Sequence, residues 1–378
     1  MKITSLKVSA VNIPTIKSYH VAVLGTIRST ESVVLEMYTD VGLVGIGETD
    51  PALMFTGESQ HTVMTMLKHH LGPAVLGMDP TEIELIKTRM DAICVGNPFA
   101  KAAIDLACHD LKAKAAGIPV YELLGGLKHE RLPVMWSLGS DSPETNAREA
   151  AQKVEEGYGT IGLKLGVLPP EDDIKRVAQV RKAVGDDIKI RCDANQSWTA
   201  AQAIRTIQSL GEFDVAMVEQ PLPKWDLEGM AYITKTVDIP IGVDESLSST
   251  RETVTIILLN AADFFSIKTT KHGGLMNSKL IGNMAHEAGK KLFINSMIEM
   301  GVSVMSGLHF AASSPGLFEI GHALNSVRRL KDDILLDPVQ YQGGEIIVPQ
   351  DRTGLGVELD ERKMEIYTQD SFQIEPND

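Results

Sequence analysis

Five runs between residues 161 and 268 decide the fold: IGLKL (161–165), IKIRCDA (188–194), VAMVE (215–219), PIGVD (240–244) and FFSIK (264–268). Each is short and apolar, and each carries a charged residue at or near its C-terminal end: Lys164, Asp193, Glu219, Asp244 and Lys268. The steps between them are 29, 26, 25 and 24 residues (193−164, 219−193, 244−219, 268−244). That is close to the roughly 30 residues per unit of an eight-unit (β/α) barrel of about 250 residues. The spacing therefore puts all five residues on one rim. Working outward, PVMWSL (133–138) precedes the five runs, and KLFIN (291–295) and LFEIG (317–321) follow, making eight candidate strands. Amphipathic stretches such as PEDDIKRVAQVRKAV and GLMNSKLIGNMAHEAG separate them. Regular βα alternation predicts an α/β protein with a parallel barrel, the last unit being irregular.

The flanks read differently. Residues 1–126 open with strand-like MKITSLKVSAVNI, ESVVLEMYTD and GLVGIGE, then turn helical, most clearly in FAKAAIDLACHDLKAKAA (99–116). This is the pattern of an α+β domain. Residues 127–338 hold the barrel. The tail, 339–378, contains GGEIIVP and GLGVELD and is expected to return to the first domain.

A chain of 378 residues with 43% hydrophobic content exceeds what one core usually holds. Its formal net charge of -14 disfavours phosphate backbones and anionic lipid as partners. Three cysteines (Cys94, Cys108, Cys192) without a C-x-x-C spacing disfavour a disulfide framework or structural zinc and fit a reducing cytoplasm. The N-terminus lacks the apolar core of a signal peptide, and no segment is long and apolar enough to span a membrane.

Strand alternation sorts the side chains. Arg191, Asp193 and Asn195 face the barrel axis, with Ile190 and Cys192 outward. Val215, Met217 and Glu219 face in, as do Gly242 and Asp244, and Ser266 and Lys268. Three inward carboxylates on adjacent strands need a counter-charge. A hard cation with oxygen ligands supplies one, and Mg²⁺ suits carboxylates plus substrate and water, with Mn²⁺ able to take its place. Lys164 and Lys268 flank the carboxylate row, so that one amine can act on each face of a bound molecule. Asn195 and Gln220 can line the site or serve only as hydrogen-bonding supports.

These residues carry a resemblance. Lys164, RCDANQSW (191–198), VEQPL (218–222), GVDES (242–246) and IKTTKHGG (267–274) resemble the muconate lactonizing enzyme subgroup of the enolase superfamily. GNPFAKAAIDLACHDLKAK (96–114) and YELLGG (121–126) resemble the same family's capping-domain helices. The resemblance spans essentially the whole chain. It implies a modified (β/α)7β barrel under an α+β cap and a metal held by Asp193, Glu219 and Asp244. It also implies a lysine that removes a proton α to a substrate carboxylate. One departure stands out: where the family's second strand reads Lys-x-Lys, this chain has Gly162-Leu163-Lys164. Lys164 would then keep only the metal and its burial to depress its pKa.

The substrate is a small-molecule carboxylate, and a homo-oligomer is expected. Loops at 15–30 and 50–60, the latter with Met54, Phe55 and Thr56, are candidates to close over the site. Phe55, Ser296, Glu299 and Glu319 are candidate substrate contacts, and His322 is more readily a satisfied polar residue than a catalyst. Dipeptide epimerases of the family carry Asp-x-Asp at the eighth strand, where this chain has FEIGHAL. The first expectation is thus a muconate-type cycloisomerase. The second is a racemase, epimerase or dehydratase of another carboxylate. The third, a non-catalytic binding protein, is disfavoured by retention of all five rim residues.

Overall fold

A computed structural model describes residues 1–21 and 25–376; residues 22–24 of the first candidate loop lie outside the described residues. The N-terminal part runs β1 (Ile3–Val11), β2 (Pro14–Val21), β3 (Gly25–Ser29), β4 (Ser32–Thr39) and β5 (Val44–Thr49). Helices α1 (Leu53–Thr56), α2 (Gln60–Met66), α3 (Gly72–Val75), α4 (Ile83–Ile93), α5 (Pro98–Ala116) and α6 (Val120–Leu123) follow. Helix α5 starts on a proline whose missing N–H would be unpaired in any case. The Glu58 carboxylate accepts from the next two free N–H groups, those of Phe99 and Ala100 (both 3.1 Å). Nearly the whole of α5 is buried between the cap sheet and the barrel. The cap core joins Leu6, Val8, Leu35, Leu67, Ile104 and Leu111.

The second part is a sequence of parallel strands and helices. After β6 (Arg131–Pro133) come β7 (Trp136–Leu138), α7 (Pro143–Glu155), β8 (Thr160–Lys164), α8 (Pro170–Val184), β9 (Lys189–Asp193) and α9 (Ala200–Leu210). Then follow β10 (Val215–Glu219), α10 (Leu227–Thr236), β11 (Ile241–Val243), α11 (Thr250–Leu259), β12 (Phe264–Ile267), α12 (Leu275–Glu287), β13 (Lys291–Ile294) and α13 (Gly301–Ala312). The tail adds β14 (Tyr341–Gln342), β15 (Glu345–Ile347), α14 (Glu361–Tyr367) and β16 (Thr368–Ile374). Strands β7 to β13 form one seven-stranded sheet in chain order, all parallel. Strands β14 and β15 of the tail form a sheet with β6, whereas β16 joins the sheet of the first part at its edge, in the order β16-β1-β4-β5.

No regular strand forms at 317–321. Parallel bridges join Leu317 to Leu292 and His322 to Val134, so this irregular segment closes the curled sheet between its two edges. Gly321 passes so close to β7's lead-in that a Cβ there would sit 2.7 Å from the Val134 carbonyl carbon. Met135, Met217, Phe264, Phe293, Ile320 and Ala323 fill the barrel interior, and the outward residues pack on the helices. One orientation departs from strict alternation. Val215 belongs to the outer layer, because the register slips at Ala216: Val215 pairs with Ile190 and Met217 with Arg191. The slip restores Met217 and Glu219 to the inside.

Candidate active site

The rim residues stand where the pleat puts them. Lys164, Asp193 and Glu219 are successive register partners at the ends of β8, β9 and β10. Asp244 and Lys268 follow directly on β11 and β12. The chain turns away sharply after the carboxylates: Asn195, Gln196 and Gln220 all have left-handed backbone (φ 41°, 67° and 37°). Such conformations in non-glycine residues persist only when the surroundings enforce them, and they concentrate at functional sites. Here hydrogen bonds enforce them. The Asn195 N–H donates to Asp193 Oδ1 (3.0 Å), and Gln220 Oε1 accepts from the N–H groups of Asp244 and Ser246 (3.0 and 3.1 Å).

Each carboxylate meets a cation. Lys164 Nζ donates to Asp193 Oδ2 (2.6 Å) and Lys268 Nζ to Asp244 Oδ2 (2.7 Å). Arg191 contacts both Asp193 and Glu219, and Lys271 donates to Asp244 Oδ1 (2.7 Å). Arg191 and Lys271 thus join the two lysines, which sets four cationic side chains against the three carboxylates. Among the described residues, no three acidic, histidine or cysteine side chains converge on one point. The donor set nevertheless fits a hard dication. The three carboxylates are buried and offer only oxygen, and two further buried acceptors beside them, Asn195 Oδ1 and Glu245 Oε2, have no donor.

Electrostatics follow from burial and neighbours. Burial pushes the Lys164 ammonium below its ordinary range; Asp193 opposes this, while Arg191 and Lys268 reinforce it. Lys164 therefore has more than burial lowering its pKa, since Arg191 is the register partner of Gly162 on the next strand. Burial also raises Glu245, to about 7, with Asp244 and Asp193 adding to it. Asp244 is held well below the carboxylate range by Lys268 and Lys271 despite its burial.

A cavity of about 590 Å³ opens onto Lys164, Lys268, Arg191, Asn195, Ser296 and, from the cap, Phe55. The Phe55 ring centroid lies 4.2 Å from Lys268 Nζ. Residues 26–29 of β3 line the same space, bringing Arg28, and Arg329 lines it as well. Glu299 is buried outside the lining, and Glu319 is exposed on the outer side of the closing segment. His322 is buried, its Nδ1 accepting from the Ile294 N–H (3.2 Å), and burial drops its pKa to about 3. Gly162 leaves no void. A Cβ there would meet Met135 Sδ and Ser137 Oγ, both at 3.3 Å, so neighbouring side chains fill the family's lysine position.

Several site residues escaped the sequence reading. Asn295, whose Nδ2 donates to Glu219 Oε1 (2.8 Å), ends the seventh run by the same rule that found the others. Lys271, Arg28 and Arg329 come from loops or the cap and have no periodic signal.

Comparison with known proteins agrees with this geometry. Residues 3–125 match the family model described as mandelate racemase / muconate lactonizing enzyme, N-terminal domain, and residues 146–363 match enolase C-terminal domain-like. The N-succinyl-L-Arg/Lys racemase of Bacillus cereus is 36% identical, over 97% of this chain and 98% of its own. Its crystal structure superposes with a TM-score of 0.95, covering 99% of this chain and all of the other. A dipeptide epimerase from Enterococcus faecalis, solved with Mg and L-Leu-L-Tyr, gives a TM-score of 0.90 at 34% identity, over 94% of this chain and 99% of that one. Muconate cycloisomerase 1 of Acinetobacter baylyi is 32% identical over 96% of this chain and 98% of its own.

Proposed function

This chain belongs to the mandelate racemase/muconate lactonizing enzyme family of the enolase superfamily. From that premise we propose that it is a magnesium-dependent racemase or epimerase that inverts the α-carbon of an N-acylated amino acid. The observation that carries this reading is the pair of amines, Lys164 and Lys268. Both open onto one cavity, from opposite sides of the carboxylate row.

Asp193, Glu219 and Asp244 would hold the ion. When bound, it supplies charge stabilisation to the substrate carboxylate as the adjacent carbon acid ionises. The chain's own residues do the rest. Lys164, whose ammonium is disfavoured by burial and by Arg191, takes the α-proton from one face. Lys268, held by Asp244 and the Phe55 ring, gives a proton to the other. The reverse reaction exchanges the two roles. The buried site limits water at the reacting carbon.

The cavity's charges bear on the acyl group. At the closing segment, Ile320 and Ala323 face inward and Glu319 outward. That wall offers no carboxylate to a free amine, which weighs against a dipeptide. The Asp50 carboxylate is taken up by the N–H groups of Ile298 and Glu31 and by Thr30 Oγ1. Arg28 and Arg329 instead suit an acyl chain that ends in a carboxylate. The same arginines, with the whole-length similarity to muconate cycloisomerases, favour a second reading: lactonisation of an unsaturated dicarboxylic acid.

Incubation with N-acyl amino acids in D₂O tests the first reading, dipeptides and muconate serving as alternatives. Exchange of the α-proton with inversion is expected, dependent on Mg²⁺ and abolished by chelation. Lys164→Ala and Lys268→Ala should each stop inversion, each blocking exchange from one enantiomer only. Loss of muconate absorbance without exchange in any amino-acid derivative would replace this reading by the second.

A further inference from the structure

We propose that Lys224 is a positioning residue for Lys268: its ammonium grips the Phe55 carbonyl and keeps the Phe55 ring packed on the amine that serves one face of the substrate. This rests on the two-face reading above. Lys224 lies in the loop after β10, outside the cavity lining. Its Nζ reaches across to the cap and donates to the Phe55 backbone oxygen (3.1 Å).

Both ends of this tie are built. On the barrel side, the Lys224 N–H donates to Gln196 Oε1 and its carbonyl accepts from Ser246 Oγ (both 2.9 Å). Ser246 Oγ in turn accepts from Gln220 Nε2 (2.8 Å), and Gln220 Oε1 accepts from the Asp244 N–H. The two left-handed glutamines thus join the loops after β9, β10 and β11 into one frame. That frame leads from Lys224 to Asp244, the carboxylate that holds Lys268.

On the cap side, Phe55 sits in a one-turn helix whose Leu53 and Met54 are 63% and 50% exposed. The phenyl ring itself is buried. The base of the loop is fixed on α5 by Glu58. Lys224 thus fixes the tip. The Phe55 ring packs on Lys268, whereas Lys164 is held by Asp193, so loosening the tie should disturb one face of the reaction and spare the other.

The test uses the magnesium-loaded enzyme and α-proton exchange in D₂O from each enantiomer, the faces being assigned with Lys164→Ala and Lys268→Ala. Lys224→Met should slow exchange on the Lys268 face by about ten- to hundredfold and leave the other within about twofold, since small misplacements of a reacting group cost rates of that order. Lys224→Arg should restore it. Limited proteolysis gives a readout independent of turnover: Lys224→Met should be cut faster between residues 53 and 56, and Lys224→Arg should not. Equal loss on both faces, or no loss, overturns the proposal. If the two lysine variants fail to separate the faces, the functional reading falls. Proteolysis then decides the tie alone, and unchanged cleavage in Lys224→Met overturns it.

Discussion

Gly162 is the residue at which this chain leaves its family's pattern, and its neighbours show how the gap is managed. Met135 and Ser137 occupy the space, and Arg191 lies beside it as register partner. A lysine introduced at 162 would add a like charge near Lys164, whose ammonium is already disfavoured by burial and by Arg191. A like charge lowers a lysine pKa further. The acidic limb of kcat/KM should therefore move to lower pH in Gly162→Lys. We expect a shift of less than about one unit, because Arg191 already supplies part of the repulsion. Gly162→Ala should leave KM nearly unchanged, since Met135 and Ser137, and not Gly162, line the cavity. Its added methyl is expected to cost about 1–3 kcal/mol of stability, since Met135 and Ser137 already fill the space. The pH dependence of both variants checks the pair: an unmoved limb in a folded, metal-binding Gly162→Lys would remove the electrostatic account.

At the scale of elements, the cap holds the barrel largely through carboxylates placed on backbone N–H groups. Helix α13 is buried on every side, so its free N-terminal donors must find partners inside the protein. Glu48 at the end of β5 supplies them, accepting from Met300 N–H (2.7 Å) and Ser303 N–H (2.9 Å). Asp105 of α5 does the same for the first residue of α12, accepting from Leu275 N–H (2.6 Å). Burial raises the Glu48 pKa well above the carboxylate range, and each of its oxygens accepts from one N–H, so a glutamine there keeps one acceptor and loses the other. Glu48→Ala, which strands two buried donors, is expected to cost about 2–4 kcal/mol. Glu48→Gln should cost clearly less. Denaturant midpoints of the two variants measure this, and equal losses would mean that the cap is not what Glu48 provides.

The whole molecule is two packed parts with a cavity between them, and the seam stores buried acids. Burial raises Asp50 to about 6 and Glu299 to about 8, against 3.8 and 4.5 for the free groups. A raised carboxyl pKa means that the folded state keeps a proton the unfolded chain releases, so stability falls as pH rises through that interval. Two buried histidines act oppositely: His309, lowered to about 4, and His322, lowered to about 3, favour folding as pH rises towards 6.5. Below 6.5 these effects oppose each other, and above it Glu299 prevails over this set. Stability at fixed magnesium should therefore fall as pH rises above 6.5. Towards pH 8 Glu299 contributes a fall of about 1.4 kcal/mol per unit, and Glu48, raised by burial as well, adds to it. Glu299→Gln should flatten that fall, as followed by denaturation at several pH values; a fall of the same steepness in the variant would place the titrating group elsewhere.

The sequence by itself determined the barrel and its rim. Strand alternation has a fixed period of two, and a βα unit has a nearly fixed length, so spacing alone put Lys164, Asp193, Glu219, Asp244 and Lys268 at the mouth. The same rule reaches Asn295 at the end of the seventh run. Tertiary structure decided what periodicity cannot encode. The slip at Ala216 turned Val215 outward, because one extra residue shifts the alternation of all that precede it. Closure through an irregular segment left Glu319 in solvent and His322 inside. Phe55, Arg28, Lys224 and Lys271 meet the site across loops and across the seam between cap and barrel. Contacts of that kind depend on how separate elements pack in three dimensions, and no local spacing along the chain records them.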